Sequence, residues 1–395
     1  MRLLLLSLAA IPLMASTYNL QGLMDHALQN DAALKAEREA LQQLTYEKES
    51  LKAWENPELS LSYMRTKPDA MDNQNEYGLA LLQPIEKPSL RSAKLRVNDS
   101  RIVQSKALML QKERDIRGDV RLRAYQYSVA SMMAESAEQS LRLAREFHQK
   151  GEQRFGQGAI SKADLLKLQI EEEKIAQEAE AARIKRDSAR NALALASRLD
   201  DTSDLEPISL PEPKGIDSVP DLDTLPMSGY FKASEEEFRA QKEVASESII
   251  PGFKAGIGYQ KLFDQHSIGA TLSMPIPLLN RNEPQIKSAE SRLNETRLRQ
   301  SAYRYALLQQ SQQLRLSLSS LATLAKSQDA LLERSATMVR LAQRSYEEGY
   351  GTLLELIDAR RTHVAHQRDR LNTLETYYNA LGEFQKIFPP VEEKQ

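Results

Sequence analysis

Two hydrophobic periods alternate along this chain. Residues 20–54, LQGLMDHALQNDAALKAEREALQQLTYEKESLKAW, carry apolar positions at helical spacing and predict one helix, which Pro57 ends. The period then drops to two. In ELSLSYMRT (58–66), Leu59, Leu61 and Tyr63 share one face and Ser60 and Ser62 the other. A polar turn, KPDAMDNQN, leads to EYGLALLQP (76–84), where Tyr77, Leu79 and Leu81 oppose Gly78 and Ala80. Two such runs joined by a polar turn predict a β-hairpin, 58–84.

From Ser89 to about Phe155 there is no proline, and a helix of that length would be roughly 100 Å long. Its apolar stripe is narrow and coiled-coil-like: Tyr125, Val129, Met132, Leu143 and Phe147, with Ser136 and Ser140 in register. After the turn RFGQGAISKADLLKL, a charged helix is predicted from Ser161 to about Leu199. Five prolines (207, 211, 213, 220 and 226) then mark 200–228 as linker or irregular chain.

The order recurs. A short helix (229–249) precedes a second predicted hairpin, 252–275. FKAGIGYQ sets Phe253, Ala255, Ile257 and Tyr259 against Lys254, Gly256 and Gly258, and a tight turn near Asp264 leads to Ile268, Ala270, Leu272 and Met274 on one side. A long helix, about 285–346, has Leu314, Leu318, Leu321, Ala325, Leu332 and Val339 as its apolar positions. The turn SYEEGYGTLLELIDA then opens a last helix to about Phe384. Superposing Phe155 on Tyr346, about 191 residues on, also aligns Gly158 with Gly349, Ser161 with Thr352 and Asp164 with Glu355. The expected organisation is a segment 1–15, a first repeat 16–199, the proline-rich segment 200–228, a second repeat 229–384 and a tail 385–395.

Each turn is expected to end a helix on a left-handed glycine, Gly158 or Gly349. Ser161 with Asp164, and Thr352 with Glu355, fit capping boxes that start the next helix. Capping is thus the plain reading of Asp164 and Glu355. Asp358 lies one turn further on, on the face of Glu355, where the first repeat has Lys167.

Composition agrees with long helices. Of 395 residues 27% are charged, 6% are aromatic and only 15 are glycine. Net charge is −2, so no basic surface suggests nucleic acid. The absence of cysteine excludes disulfides and thiolate chemistry. MRLLLLSLAAIPLMAS has one arginine before a short apolar core and is expected to be a secretory signal, with no spanning helix after it. His363 and His366 have no third ligand nearby, so no metal site or cofactor is expected, and no catalytic motif appears.

Two hairpins make no stable sheet alone. One apolar face and about nine residues per strand suit a membrane-spanning strand. A bilayer admits only closed barrels, and four strands are too few to close around a pore, so several chains would have to contribute. Trp54 and Phe253 stand where an aromatic girdle would lie. A soluble four-stranded tip is the other reading of the same runs.

In this order, YNLQGLMDHALQNDAALKAERE, NPELSLSY, PIPLLNRNEPQIKSAESRL and the two glycine turns resemble the TolC family of outer-membrane efflux proteins, across essentially the whole chain after the signal. The resemblance implies a mainly α fold with a transmembrane β part: a homotrimer whose helical hairpins form a periplasmic α-barrel and whose four strands per chain make a 12-stranded β-barrel. It implies a passive exit duct in the outer membrane, with lipid around the barrel. A periplasmic adaptor would dock at the turns (Phe155, Gly158, Ser161, Gly349, Thr352), and an inner-membrane pump of RND or ABC type would supply the energy.

By the same resemblance Glu355 and Asp358 match acidic rings at the periplasmic aperture, six carboxylates in a trimer, and Tyr346 and Asp164 match residues that latch it. Gly351 stands where some members carry a charged latch residue, and the missing N-terminal cysteine departs from the lipid-anchored members. A coiled-coil adaptor or scaffold without a pore, and the same duct serving type I protein secretion, are the alternatives.

Overall fold

The computed structural model describes residues 19–66, 74–202, 205–262 and 265–390. The expected signal segment, the turn around residues 67–73, Asp264 and the last residues of the tail lie outside them. Seven α-helices and four strands are described, with one 3-10 turn at Leu222–Thr224: α1 (Leu20–Asn30), α2 (Ala32–Lys52), β1 (Glu58–Thr66), β2 (Gln74–Glu86), α3 (Pro88–Gly156), α4 (Lys162–Ala196), α5 (Pro226–Glu247), β3 (Gly252–Leu262), β4 (Gln265–Ser273), α6 (Glu283–Glu347) and α7 (Leu353–Ile387). The chain divides into two compact units. One holds the described residues up to Asp31, Glu113–Pro220 and those from Gln309 on; the other holds Ala32–Lys112 and Asp221–Leu308. No described helix is long and apolar enough to cross a membrane.

The first unit packs around Leu23, Met24 and Ala27 of α1, Val120, Ala124 and Tyr127 of α3, Leu193 and Ala194 of α4, and Leu205. Each large aliphatic side chain buried there contributes about 1.5–3 kcal/mol. Small residues let α7 approach α3 closely: a Cβ on Gly382 would lie 2.6 Å from the Leu122 side chain. The expected apolar stripe of α3 is half right. Tyr125 and Val129 are buried, but Met132 and Leu143 stay partly exposed within a single chain. On α6, Leu318 and Ala325 are the fully buried members of its stripe.

The helix expected over 20–54 is two helices. The chain breaks at Asp31, which adopts an extended conformation while its N–H still closes on the Ala27 carbonyl at 2.9 Å. Its buried carboxylate accepts from Arg198 at 2.6 and 3.2 Å, and His26 Nδ1 lies 2.9 Å from the Ser197 carbonyl. Two bonds to a charged partner outweigh the single turn of helix given up. The proline-rich segment is not loose either. It is strapped to the first unit by Tyr127 on Leu205, Ser128 on Ile208, Tyr377 on Lys214 and Tyr378 on Pro211. Pro226, read as punctuation, opens α5 in a first turn that has no need of its missing N–H.

In the second unit the four strands form one antiparallel sheet in the order β1-β2-β3-β4. Its ladder puts Leu61 opposite Leu79, Leu79 opposite Tyr259, and Tyr259 opposite Ile268. The next row is Leu59, Leu81, Ile257 and Ala270. Because side chains alternate, all four apolar sets share one face, and Ser60, Ser62, Gly78, Ala80, Gly256, Gly258, Ser267 and Thr271 share the other. Nothing described in the chain covers the apolar face: Ile268 is 84% exposed and Leu61 74%. On the small-residue face Lys254 pairs with Glu58 at 2.8 Å. β2 runs on to Glu86 past Pro84, because β3 continues to pair with it as far as Gly252.

Candidate functional site

The two glycine turns lie in the first unit and share one backbone design. α3 ends with the Gly158 N–H on the Phe155 carbonyl (2.9 Å) and the Ala159 N–H on the Arg154 carbonyl (2.9 Å). α6 ends with Gly349 on Tyr346 (3.3 Å) and Tyr350 on Ser345 (2.9 Å). Both are Schellman closures, and both glycines have the left-handed φ such closures need, 71° and 82°.

The restarts differ. At α7 the capping box is complete: the Glu355 N–H donates to Thr352 Oγ1 (3.2 Å), and the Thr352 N–H donates to the Glu355 carboxylate (2.9 Å). At α4 only half forms. The Asp164 N–H reaches Ser161 Oγ (3.1 Å), but the carboxylate takes the Ser161 hydroxyl (2.7 Å) and Lys167 Nζ (3.2 Å) instead of the cap N–H. The Ser161 hydroxyl and then Lys167 hold the Asp164 carboxyl below its ordinary range.

Asp358 is exposed on the face of Glu355 and accepts no hydrogen bond among the described residues. Its charge instead adds to the field that holds the Arg361 guanidinium protonated, after the dominant bond that Arg361 donates to Glu171. The second turn therefore presents two carboxylates where the first presents an acid–base pair.

The turns meet through residues that periodicity does not flag. The Arg154 guanidinium lies 4.3 Å above the Tyr346 ring, and Arg361 Nε donates to Glu171 at 3.1 Å. Asp164 and Tyr346 are not bonded to each other: Asp164 goes to Lys167 and Tyr346 to Arg154. Behind the turns, α3, α4, α6 and α7 line a partly open cavity of about 760 Å³ that includes Leu143, Phe147, Leu168, Val339 and Leu356. Arg360 stacks over Phe147 at 3.5 Å, and burial lowers its pKa to about 10. No spacing rule could have found these pairs, since their members stand about 190 to 213 positions apart. His363 bonds to Ser335 at 2.9 Å, and burial, then His366, depress its pKa. No group of three or more metal-ligating side chains occurs among the described residues.

Residues 23–197 and 232–387 match the outer membrane efflux protein family, interrupted at the proline-rich segment between the two repeats. The chain belongs to that family. Outer membrane efflux proteins are channels of the outer membrane with a periplasmic extension, so the sheet is this chain's share of a β-barrel and the long helices its share of an α-barrel.

Solved structures similar to this chain include a membrane protein from Pseudomonas aeruginosa (18% identity, 93% of this chain and 92% of that one, TM-score 0.75). The outer membrane protein VceC of Vibrio cholerae (16%, 93% and 95%, 0.74) and the outer membrane channel CmeC of Campylobacter jejuni (16%, 93% and 85%, 0.73) share the fold as well. Comparison with curated protein sequences gives no match.

Proposed function

We propose that this protein is the outer-membrane exit duct of a tripartite efflux system, with three copies closing a twelve-stranded barrel. A periplasmic adaptor docks at the turns bearing Phe155, Gly158, Ser161, Gly349 and Thr352, and an inner-membrane pump supplies the energy. The observation that carries the reading is the sheet: one uncovered apolar face four strands wide, with both edges open. In water such a face would aggregate. In a bilayer lipid satisfies the face, while the open edges require further strands.

Glu355 and Asp358 are the cation-attracting gate of this duct, and Tyr346 and Asp164 its latch. Two exposed carboxylates one helical turn apart, repeated in each copy, concentrate negative potential where copies converge. Single-channel conductance in a planar bilayer tests this with a Glu355→Gln, Asp358→Asn variant. The parent should show a small, cation-selective conductance, and the variant a larger or unselective one. Identical aperture and selectivity would sink the gate; no conductance from either protein would sink the duct.

A further inference from the structure

The most exposed apolar run of the described chain lies just beyond β4 and outside the strand ladder. Met274, Ile276, Leu278 and Leu279 all face outward, Leu279 completely. The chain is anchored just beyond the run. Asn282, in the left-handed conformation at φ 55°, donates its amide to the Ala245 carbonyl of α5 at 3.1 Å. An exposed apolar run that nothing covers among the described residues calls for an occupant.

A matching surface precedes β1. Trp54 is 65% exposed although one ring face is taken: the Arg91 guanidinium lies 4.9 Å from its centroid. Arg91 also donates to the Ala53 carbonyl (3.2 Å), and Gln83 to the Glu55 carbonyl (2.9 Å), so the indole is a fixed platform. The Glu55 carboxylate and the Arg281 guanidinium are both exposed and without an ion-pair partner among the described residues. One surface thus offers aliphatic side chains and a cation, the other an aromatic face and an anion.

Topology keeps them apart within one chain and brings them together between chains. Through the ladder Glu58 at the start of β1 lines up with Leu82, Gly256 and Thr271, two residues before the end of β4. Both surfaces therefore lie at the same end of the sheet, but beside its two free edges, whose strands stand roughly 14 Å apart across three strand spacings. An antiparallel ring closed through those edges sets β4 of each copy beside β1 of the next.

We propose that Ile276, Leu278 and Leu279 of one copy pack on Trp54 of the next copy, with Arg281 facing that copy's Glu55, forming a clasp below the barrel. This rests on the closed ring proposed above. The occupant is a second copy of the chain because the two surfaces are complementary in charge and continue the two edges that such a ring joins.

The natural sequence has no cysteine, so thiols can be placed on a clean background. A chain carrying both Trp54→Cys and Leu279→Cys, oxidised in detergent extracts of membranes, should give covalent trimers on non-reducing gels. Each single variant should run as monomer, and the two single variants co-expressed should give dimers. Glutaraldehyde treatment of the same samples reports assembly independently. Trimers with glutaraldehyde but no disulfide product from the co-expressed single variants would overturn the clasp and leave the run to lipid. A parent protein that glutaraldehyde captures only as monomer would overturn the ring itself.

Discussion

The hydroxyl of Tyr377 accepts the Lys214 N–H at 2.8 Å and donates to the Lys214 carbonyl at 3.0 Å, so one side chain satisfies both polar groups of one backbone residue. The ring is almost wholly buried and stacks edge-on against Tyr378, 5.1 Å between centroids. Tyr377→Phe should cost about 1–3 kcal/mol, because two backbone groups lose their partner at a site water reaches poorly. Hydrogen exchange is the direct check. The Lys214 amide should lose protection in the variant while amides in the middle of α3 keep theirs.

Burial raises the pKa of Tyr377 and Tyr125, and pushes Tyr378 up to about 12. A phenol whose folded pKa lies above its unfolded value of 10.0 contributes fully below that value, and its contribution fades as pH rises toward the folded one. Stability of the first unit should therefore fall between about pH 10 and 12. Phenolate absorbance followed through the same range should show a fraction of the tyrosines ionising only with unfolding.

Glu171 shows the opposite sign. Its bonds from Arg361 hold the carboxyl below the ordinary value of 4.5. The pair is therefore fully stabilising above that value and is lost as pH falls through the depressed pKa. The pair is partly exposed, so Glu171→Gln should cost about 0.5–1 kcal/mol at neutral pH. The Tm difference between parent and variant should close on acidification.

Asp358 and Glu355 should separate by mutation. Glu355→Gln keeps an acceptor for the Thr352 N–H but removes a negative charge from the first turn of α7, and should cost about 0.3–1 kcal/mol of local stability. Asp358→Asn breaks no bond in the chain, so it should change channel selectivity while leaving Tm within about 0.5 kcal/mol equivalent of the parent. A large Tm drop in Asp358→Asn would show that the carboxylate has a structural partner after all.

The two sheet faces predict opposite tolerances. Leu79→Lys places a charge on the apolar face, at about 2–4 kcal/mol in mid-bilayer, and should abolish heat-resistant oligomers in the membrane fraction. Ser60→Lys, on the small-residue face, should assemble normally. Semi-native gels of the two variants decide it.

The strands were legible because their alternation has no competing explanation: Leu59, Leu61 and Tyr63 against Ser60 and Ser62 is a pattern only a strand can use. The glycine turns were legible for a similar reason, since a Schellman closure and an N-cap each restrict residue type. The break at Asp31 was not. Helix propensity runs through it unbroken, and the arginine that outweighs propensity stands at 198. Arg154 on Tyr346 and Arg360 on Phe147 were hidden in the same way, because a cation that stacks on a ring looks in sequence like any solvated charge. The half-formed box at Ser161 depended on where Lys167 sends its amine, which spacing alone does not fix.

The two turns have a consequence for symmetry. Their backbones are alike but their charges are not: Asp164 is balanced by Lys167, whereas Glu355 and Asp358 add. A ring of three chains would present six turns of the same shape alternating between a basic one, with Lys162 and Lys167 around Asp164, and an acidic one, with Glu347, Glu348, Glu355 and Asp358. A partner that recognises the backbone meets six equivalent sites there, and a partner that recognises charge meets three.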